Sequence, residues 1–358
     1  MATFRVLLHI TAWRDYELHS LDFTTAFLQV SLHEQIWLRR PPGFIGSFPT
    51  GTQWQLRRPI YGMRQAPREW HDTIRTTLAA LDFFPSSADQ SMFVRCGATP
   101  FFVPVYVDDL VFATPDQHTL ASMKEKLQRR HTCTDLGELQ CYLGLQITRD
   151  RAARTTMLMQ SHMVEQILTR FRFPFSKVQL TPLGVDHGVT APPSDEPLES
   201  SGPYPELVGC LMYLMTQGYC FSVGTEAVSW RSTRASSVSS SSCEAEVYAA
   251  AMAALELCWL TFLVTDLGER PRSLPVLFAD NRSAVLLCEE PRLVGKAKHI
   301  QLRYFLLREL QQRGQALVRR VVSEANTVDI FTKALPPCDH QRFCTQLGLV
   351  PARPHLLM

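Results

Sequence analysis

The chain has 358 residues, of which 46% are hydrophobic and 20% charged, and its formal net charge is only +2. That length allows two domains with their own cores. The near-neutral balance excludes a polycation that grips nucleic acid with its whole surface, so any phosphate contacts must come from local Lys and Arg clusters.

The ten cysteines are scattered, with no CxxC pair and no Cys/His spacing suited to zinc. Several lie in apolar runs such as LELCWL, where a reduced thiol packs as a small hydrophobe. A cytoplasmic or nuclear setting is therefore expected. The opening MATFRVLLHITAW has no small-residue cleavage site and makes a poor secretory signal.

In chain order, RVLLHITAWR reads as a helix, ELHSLDF as a strand, and the residues up to 30 as a second helical pattern. EQIWLRR and TQWQLRR alternate like strands around PPGF and PTGT. EWHDTIRTTLAAL returns to helical period. SMFVRCGATPFFVPVYVDDLVFAT reads as consecutive hairpins, and residues 120–130 as an amphipathic helix.

Residues 182–206 are rich in Pro, Ser and Gly and mark a linker. Beyond it, AVSWRS, a serine run, a long helix, LPVLFAD, SAVLLCEE, LRYFLLRELQQRG, ALVRRVV and DIFTKAL alternate strand and helix, the pattern of an α/β domain. The long apolar stretch 247–264 approaches membrane-spanning length. Glu256 interrupts it, so a buried helix and no membrane role are expected.

The sharpest chemical signal is VYVDDLV, which would place Asp108 and Asp109 at the tip of a tight hairpin. Adjacent carboxylates repel, and a divalent cation relieves that repulsion; a plain Asp-containing turn reads the same way. Asp22 ends a strand ahead of a turn, where it could equally cap a helix. Together, three carboxylates can hold two Mg²⁺ ions about 4 Å apart for in-line phosphoryl chemistry.

The blocks ELHSLDFTTAFLQVSLHEQIWLRRPPGF, RRPIYGMRQAPREW, SADQSMFVR, VYVDDLVFA and DLGELQCYLGLQI resemble, in order, those of a copia-type reverse transcriptase. The resemblance implies an α+β palm in which Asp22, Asp108 and Asp109 are catalytic and hold Mg²⁺, or Mn²⁺ in its place. It also implies that Phe27 excludes a ribose 2′-hydroxyl and that Gln65, in the loop Gln65-Ala66-Pro67, lies near the incoming nucleotide and template. Read alone, Phe27 is an ordinary core residue and Gln65 a solvated turn residue. The family's fingers hairpin would precede Met1, so triphosphate binding is expected to be weakened.

SSCEAEVYAAA, PVLFADNRSAV, AKHIQLRYFLLREL and TVDIFTKALP resemble the ribonuclease H region of the same polyproteins. The resemblance implies that Glu244, Asp280 and Asp329 are three of four metal-binding carboxylates. The residues alone also fit a capping box from Ser241 to Glu244 and N-caps at Asp280 and Asp329. No aspartate occurs between Met215 and Ser242, where the family's first catalytic aspartate and its strand belong. A ribonuclease H-like α/β domain lacking part of its sheet, with impaired activity, is expected.

The domains expected are a reverse-transcriptase domain at 1–182, a linker at 183–206, a partial connection and ribonuclease H-like domain at 207–349, and a tail at 350–358. Arg57, Arg58, Arg64 and Arg68, with Tyr61 and Trp70 available for packing or stacking, form one candidate nucleic-acid surface. Arg292, Lys296, Lys298, His299 and Arg303 form another. Expected partners are an RNA or DNA template-primer and nucleoside triphosphates. The competing reading is a folded, catalytically inactive nucleic-acid-binding remnant.

Overall fold

The computed structural model describes residues 1–39, 51, 53–97, 99–171, 180–182, 219–231, 242–282, 285–286 and 301–350. It is a mixed α/β structure with several sheets, and it divides into two compact units. One comprises residues 7–158 and 265–268; the other comprises 1–6, 159–264 and 269–358.

The first unit is built on an antiparallel sheet. Helix α1 (Ala2–Arg14) leads into β1 (Glu17–Phe23), and the strand pair β2 (Ile36–Arg39) and β3 (Gln53–Leu56) follows. Helix α2 (Ala66–Ala79) precedes β4 (Phe84–Pro85), β5 (Met92–Arg95), β6 (Phe101–Tyr106) and β7 (Asp109–Thr114). Then come α3 (Gln117–Gln128), β8 (Cys133–Glu138), β9 (Cys141–Tyr142), β10 (Leu145–Asp150) and β11 (Thr155–Met159). Six of these strands form one sheet in the order β4-β5-β6-β7-β1-β8. The strand bearing Asp22 is thus central, next to the strand that opens with Asp109.

The sequence explains why α2 covers this sheet. Ala66, Trp70, Ile74 and Leu78 recur every four residues and are buried against Phe23, Phe83, Phe101 and Phe112. Each fully buried Ile or Leu contributes roughly 1.5–3 kcal/mol. Pro67 sits in the first turn, where its missing N–H costs nothing. The second helical pattern expected after Asp22 is only a short 3₁₀ turn, Ala26–Gln29, entered through Thr25 at φ 51°.

In the second unit, α4 (Ser161–Arg170) is followed by the hairpin β12 (Tyr219–Val223) and β13 (Glu226–Arg231), then α5 (Ser242–Asp266). By length and apolar composition, Tyr248–Asp266 could cross a membrane, a test that core helices of soluble proteins also pass. The expected burial holds along one face, through Ala251, Ala254, Leu257 and Leu263, while Leu255 and Phe262 are exposed.

Strand β14 (Val276–Ala279) pairs in parallel with β15 (Leu317–Arg320), and α6 (Gln301–Gln312) lies between them in sequence. Among the described residues no third strand joins this pair. The expected DIFTKAL helix is a 3₁₀ turn, Thr327–Phe331, and α7 (Pro337–Gln346) follows. The linker, the serine run, most of SAVLLCEE and the Lys296/Lys298 patch lie outside the described residues.

Candidate active site

Antiparallel pairing of β1 with β7 sets Glu17 opposite Thr114 and, at the other end, Asp22 opposite Asp109. Tyr106 pairs with Asp109 across β6 and β7, so Val107 and Asp108 form a two-residue turn. Val107 has φ 53°, and Asp108 does not share the positive φ, as in a type II′ turn. A β-branched residue is strained there, since its Cβ crowds the carbonyl. Two hydrogen bonds hold the tip. The Trp70 indole N–H donates to the Val107 carbonyl at 2.6 Å, and the Phe23 N–H donates to the Asp108 carbonyl at 2.8 Å.

Asp22, Asp108 and Asp109 are therefore brought to one end of the central strands, each partly buried. Asp22 lies within β1 and does not serve as the helix cap that its position also suggested. Burial raises the Asp109 carboxyl above its ordinary pKa, and the negative charges of Asp22 and Asp108 add to the rise. The Tyr61 hydroxyl donates to Asp108 Oδ2 at 2.8 Å. Burial and the Asp108 carboxylate together push that phenol up to about 12.

Asp108 Oδ1 is buried and has no hydrogen-bond partner among the described residues. An unpaired charged acceptor is costly, and three hard carboxylates are the donor set that suits Mg²⁺ or Mn²⁺. The chemistry of the residues fits such a cation. Even so, among the described residues no three His, Cys, Asp or Glu side chains converge in ligating geometry. The strand register sets Asp22 opposite Asp109, with Asp108 in the adjoining turn.

Phe27 is buried, and its ring meets that of Tyr61 at 4.6 Å between centroids. Gln65 Nε2 donates to Glu34 Oε2 at 3.3 Å. Gln65 lines a cavity of about 660 Å³ along α2 with His33, Glu69, Asp72 and Thr76; none of the three aspartates lines it. Arg57, Arg58, Arg64 and Arg68 are all exposed. Arg58 is tethered to the Leu28 carbonyl, and Arg68 lies 4.0 Å from Asp72. Of the two roles expected for Trp70 it takes packing: it is 2% exposed and holds the hairpin, so it offers no face to a base.

In the second unit, Asp280 follows β14 and Asp329 lies in the 3₁₀ turn after β15. Asn326 Nδ2 reaches Asp280 Oδ2 at 3.3 Å and Asp329 Oδ1 at 3.4 Å. Lys333 Nζ bonds Asp329 Oδ2 at 2.7 Å. The cap of that turn is Asn326, whose side chain accepts from the Val328 N–H, so Asp329 is not the cap. Glu244 lies in the first turn of α5, where the structure describes only the backbone.

Sequence reasoning had no signal for Tyr61 as a partner of Asp108, or for Asn326 and Lys333. Each acts through a side-chain pairing formed by the fold.

The sequence profile described as reverse transcriptase (RNA-dependent DNA polymerase) matches residues 1–184, over half of the chain. The chain belongs to this family. Among curated proteins it is 26% identical to the Retrovirus-related Pol polyprotein from transposon RE2 of Arabidopsis thaliana, over 98% of this chain and 29% of that protein. It is 25% identical to the corresponding polyprotein from transposon TNT 1-94 of Nicotiana tabacum, over 94% of this chain and 31% of that protein. A further relative is the Putative transposon Ty5-1 protein YCL074W of Saccharomyces cerevisiae, 28% identical over 55% of this chain and 64% of that protein.

This reverse-transcriptase chain therefore spans about three tenths of the plant polyproteins that it matches. The resemblance to copia-type elements is borne out across nearly its whole length. The alignment with the RE2 polyprotein runs to 421 positions against 358 residues here, so that relative carries stretches that this chain does not.

Proposed function

We propose that the chain is the palm-bearing segment of a retrotransposon RNA-directed DNA polymerase, with Asp22, Asp108 and Asp109 as the catalytic carboxylates that hold two Mg²⁺ ions, or Mn²⁺ in their place. The observation that carries this reading is the register of β1 on β7, which sets Asp22 opposite Asp109 with Asp108 in the adjoining turn. Bound cations would supply charge neutralisation at the α-phosphate and activation of the primer 3′-hydroxyl.

The chain's own residues do the rest. The three aspartates supply oxygens from two central strands and the turn between β6 and β7, whose backbone bonds fix their spacing. Trp70 holds the turn, and Phe27 walls the nucleotide side. Gln65, which lines the α2 cavity, is the residue proposed to lie near the incoming nucleotide and template. The exposed Arg57, Arg58, Arg64 and Arg68 take phosphates of the RNA or DNA template-primer. Lys296 and Lys298, outside the described residues, belong to a second basic cluster proposed for the same task. We place the protein in the cytoplasm or nucleus, in keeping with its scattered cysteines and absent CxxC motif.

For the second unit, we propose a ribonuclease H remnant without turnover, built from Glu244, Asp280 and Asp329. One observation favours it: Lys333 and Asn326 engage both oxygens of Asp329, where a working site would leave them for a cation. If the first unit is likewise inactive, the chain is a nucleic-acid-binding remnant.

The deciding experiment is primer extension on poly(rA)–oligo(dT) with Mg²⁺ or Mn²⁺, beside an Asp108→Ala/Asp109→Ala control. Extension that is lost in the control supports the polymerase. Folded protein that binds the hybrid in a salt-sensitive way but never extends it rejects polymerase activity and leaves the binding remnant. Mg²⁺-dependent RNA cleavage abolished by Glu244→Gln would overturn the remnant reading of the second unit.

A further inference from the structure

Tyr61 sits where a short turn would ordinarily present a solvated side chain. The Met63 N–H bonds the Ile60 carbonyl at 3.3 Å, and Gly62 at the third position has φ 95°, which defines a type II turn with Tyr61 at its second position. Only glycine adopts that φ at no cost. The turn is tied down at its start, because Arg58 donates to the Leu28 carbonyl and the Leu32 N–H to the Arg57 carbonyl at 3.3 Å. A ring leaving this turn is aimed by backbone, and its two contacts are specific. Its ring lies 4.6 Å from that of Phe27 between centroids, tilted by 51°, and its hydroxyl meets Asp108 Oδ2 at 2.8 Å, although the residue stays 53% exposed.

We propose that Tyr61 is a positioning residue of the carboxylate site: its hydroxyl fixes the Asp108 carboxylate so that Oδ1 is the oxygen offered to a divalent cation. This rests on reading Asp108 as a cation ligand. The terminal torsion of an aspartate is broad and nearly two-fold, so an unrestrained carboxylate exchanges its oxygens freely. A donor on one oxygen removes that freedom. Here the donor is on Oδ2, and Oδ1 is the oxygen that is buried and unpartnered. Phe27 supports the ring that carries the hydroxyl, so Tyr61 links the wall of the site to its charge. Among the described residues the hydroxyl hydrogen-bonds only Asp108 Oδ2, so it acts through that carboxylate.

The test is Mn²⁺ titration of the full chain by electron paramagnetic resonance, with Asp108→Ala/Asp109→Ala as the blank and thermal unfolding run in parallel. Tyr61→Phe removes the hydroxyl and keeps the ring; Tyr61→Ala removes both. The expected result is that Tyr61→Phe weakens Mn²⁺ binding about fivefold, which corresponds to ~1 kcal/mol, without moving the thermal midpoint. Tyr61→Ala weakens it no further, because the cation senses the hydroxyl alone. Unchanged or tighter binding in Tyr61→Phe overturns the proposal, as does a loss confined to Tyr61→Ala. A parent chain with no Mn²⁺ signal above the double-alanine blank instead overturns the assignment of the aspartates on which this proposal rests.

Discussion

Replacing Trp70 with Phe tests what holds the candidate site in shape. The indole is 2% exposed, packs edge-on against Phe23 at 4.9 Å between centroids, and donates to the Val107 carbonyl at 2.6 Å. Phenylalanine keeps the aromatic contact and loses the donor. Losing one net hydrogen bond costs about 1 kcal/mol, because Val107 is 39% exposed and water can reach its carbonyl. The smaller ring leaves unfilled volume in a packed core, about 1–1.5 kcal/mol when scaled from Trp→Ala losses of ~3–5. The predicted fall in unfolding free energy is about 2 kcal/mol, measured by urea denaturation.

A second consequence concerns chemistry. With its carbonyl released, Val107 can leave its strained φ of 53°, and the tip carrying Asp108 moves with it. Aspartate-dependent Mn²⁺ affinity should therefore fall in Trp70→Phe even at temperatures where the variant is fully folded. A destabilisation under about 0.5 kcal/mol with unchanged Mn²⁺ affinity would refute the view that the indole clamps the turn.

Val107→Gly should stabilise the fold by roughly 0.5–1 kcal/mol in urea, since relief of ~1–2 kcal/mol of left-handed strain exceeds the added chain entropy; a loss above 1 kcal/mol would show that the turn is unstrained. Asp109→Asn should stabilise at neutral pH. Burial and its acidic neighbours raise the folded-state pKa, so the folded state binds more protons and stability falls as pH rises through that value. The advantage of the variant should shrink as pH drops toward 3.8, and a pH-independent difference would contradict it. The pair Lys124–Asp135, 2.6 Å apart, should respond asymmetrically. Asp135→Ala leaves a lysine that is 9% exposed without its countercharge, with His19 Nδ1 at 2.9 Å as its remaining partner, and should cost about 2 kcal/mol. Lys124→Met leaves an aspartate that is 40% exposed and should cost about 1; equal losses would reject the desolvation account.

Much of the first unit was legible in the sequence because its information is local. ELHSLDF predicts β1 to the residue, and VYVDDLV predicts a hairpin with two aspartates at its tip, since continuous apolar strand-forming runs flank a polar pair. The four-residue spacing from Ala66 to Leu78 reveals the helix and its buried face, but not what Trp70 would bond. That partner lies 37 residues away, and Tyr61 meets Asp108 across 47. No periodicity encodes such pairs; they exist only once the sheet has set its register.

The second unit shows the converse. DIFTKAL has helical spacing, yet it forms a 3₁₀ turn because Asn326 accepts from the Val328 N–H and sets a tighter winding. The same side chain then spends its amide on Asp280 and Asp329, so one residue decides both the local fold and the state of two carboxylates. In the first unit the two duties are divided. Trp70 and the strand ladder hold the backbone, while the Asp108 Oδ1 oxygen stays unpaired. A carboxylate can respond to a cation only where its fold does not already depend on it. The two carboxylates thus differ in what already occupies them: Asp108 keeps one oxygen without a partner among the described residues, whereas both oxygens of Asp329 are engaged by Asn326 and Lys333.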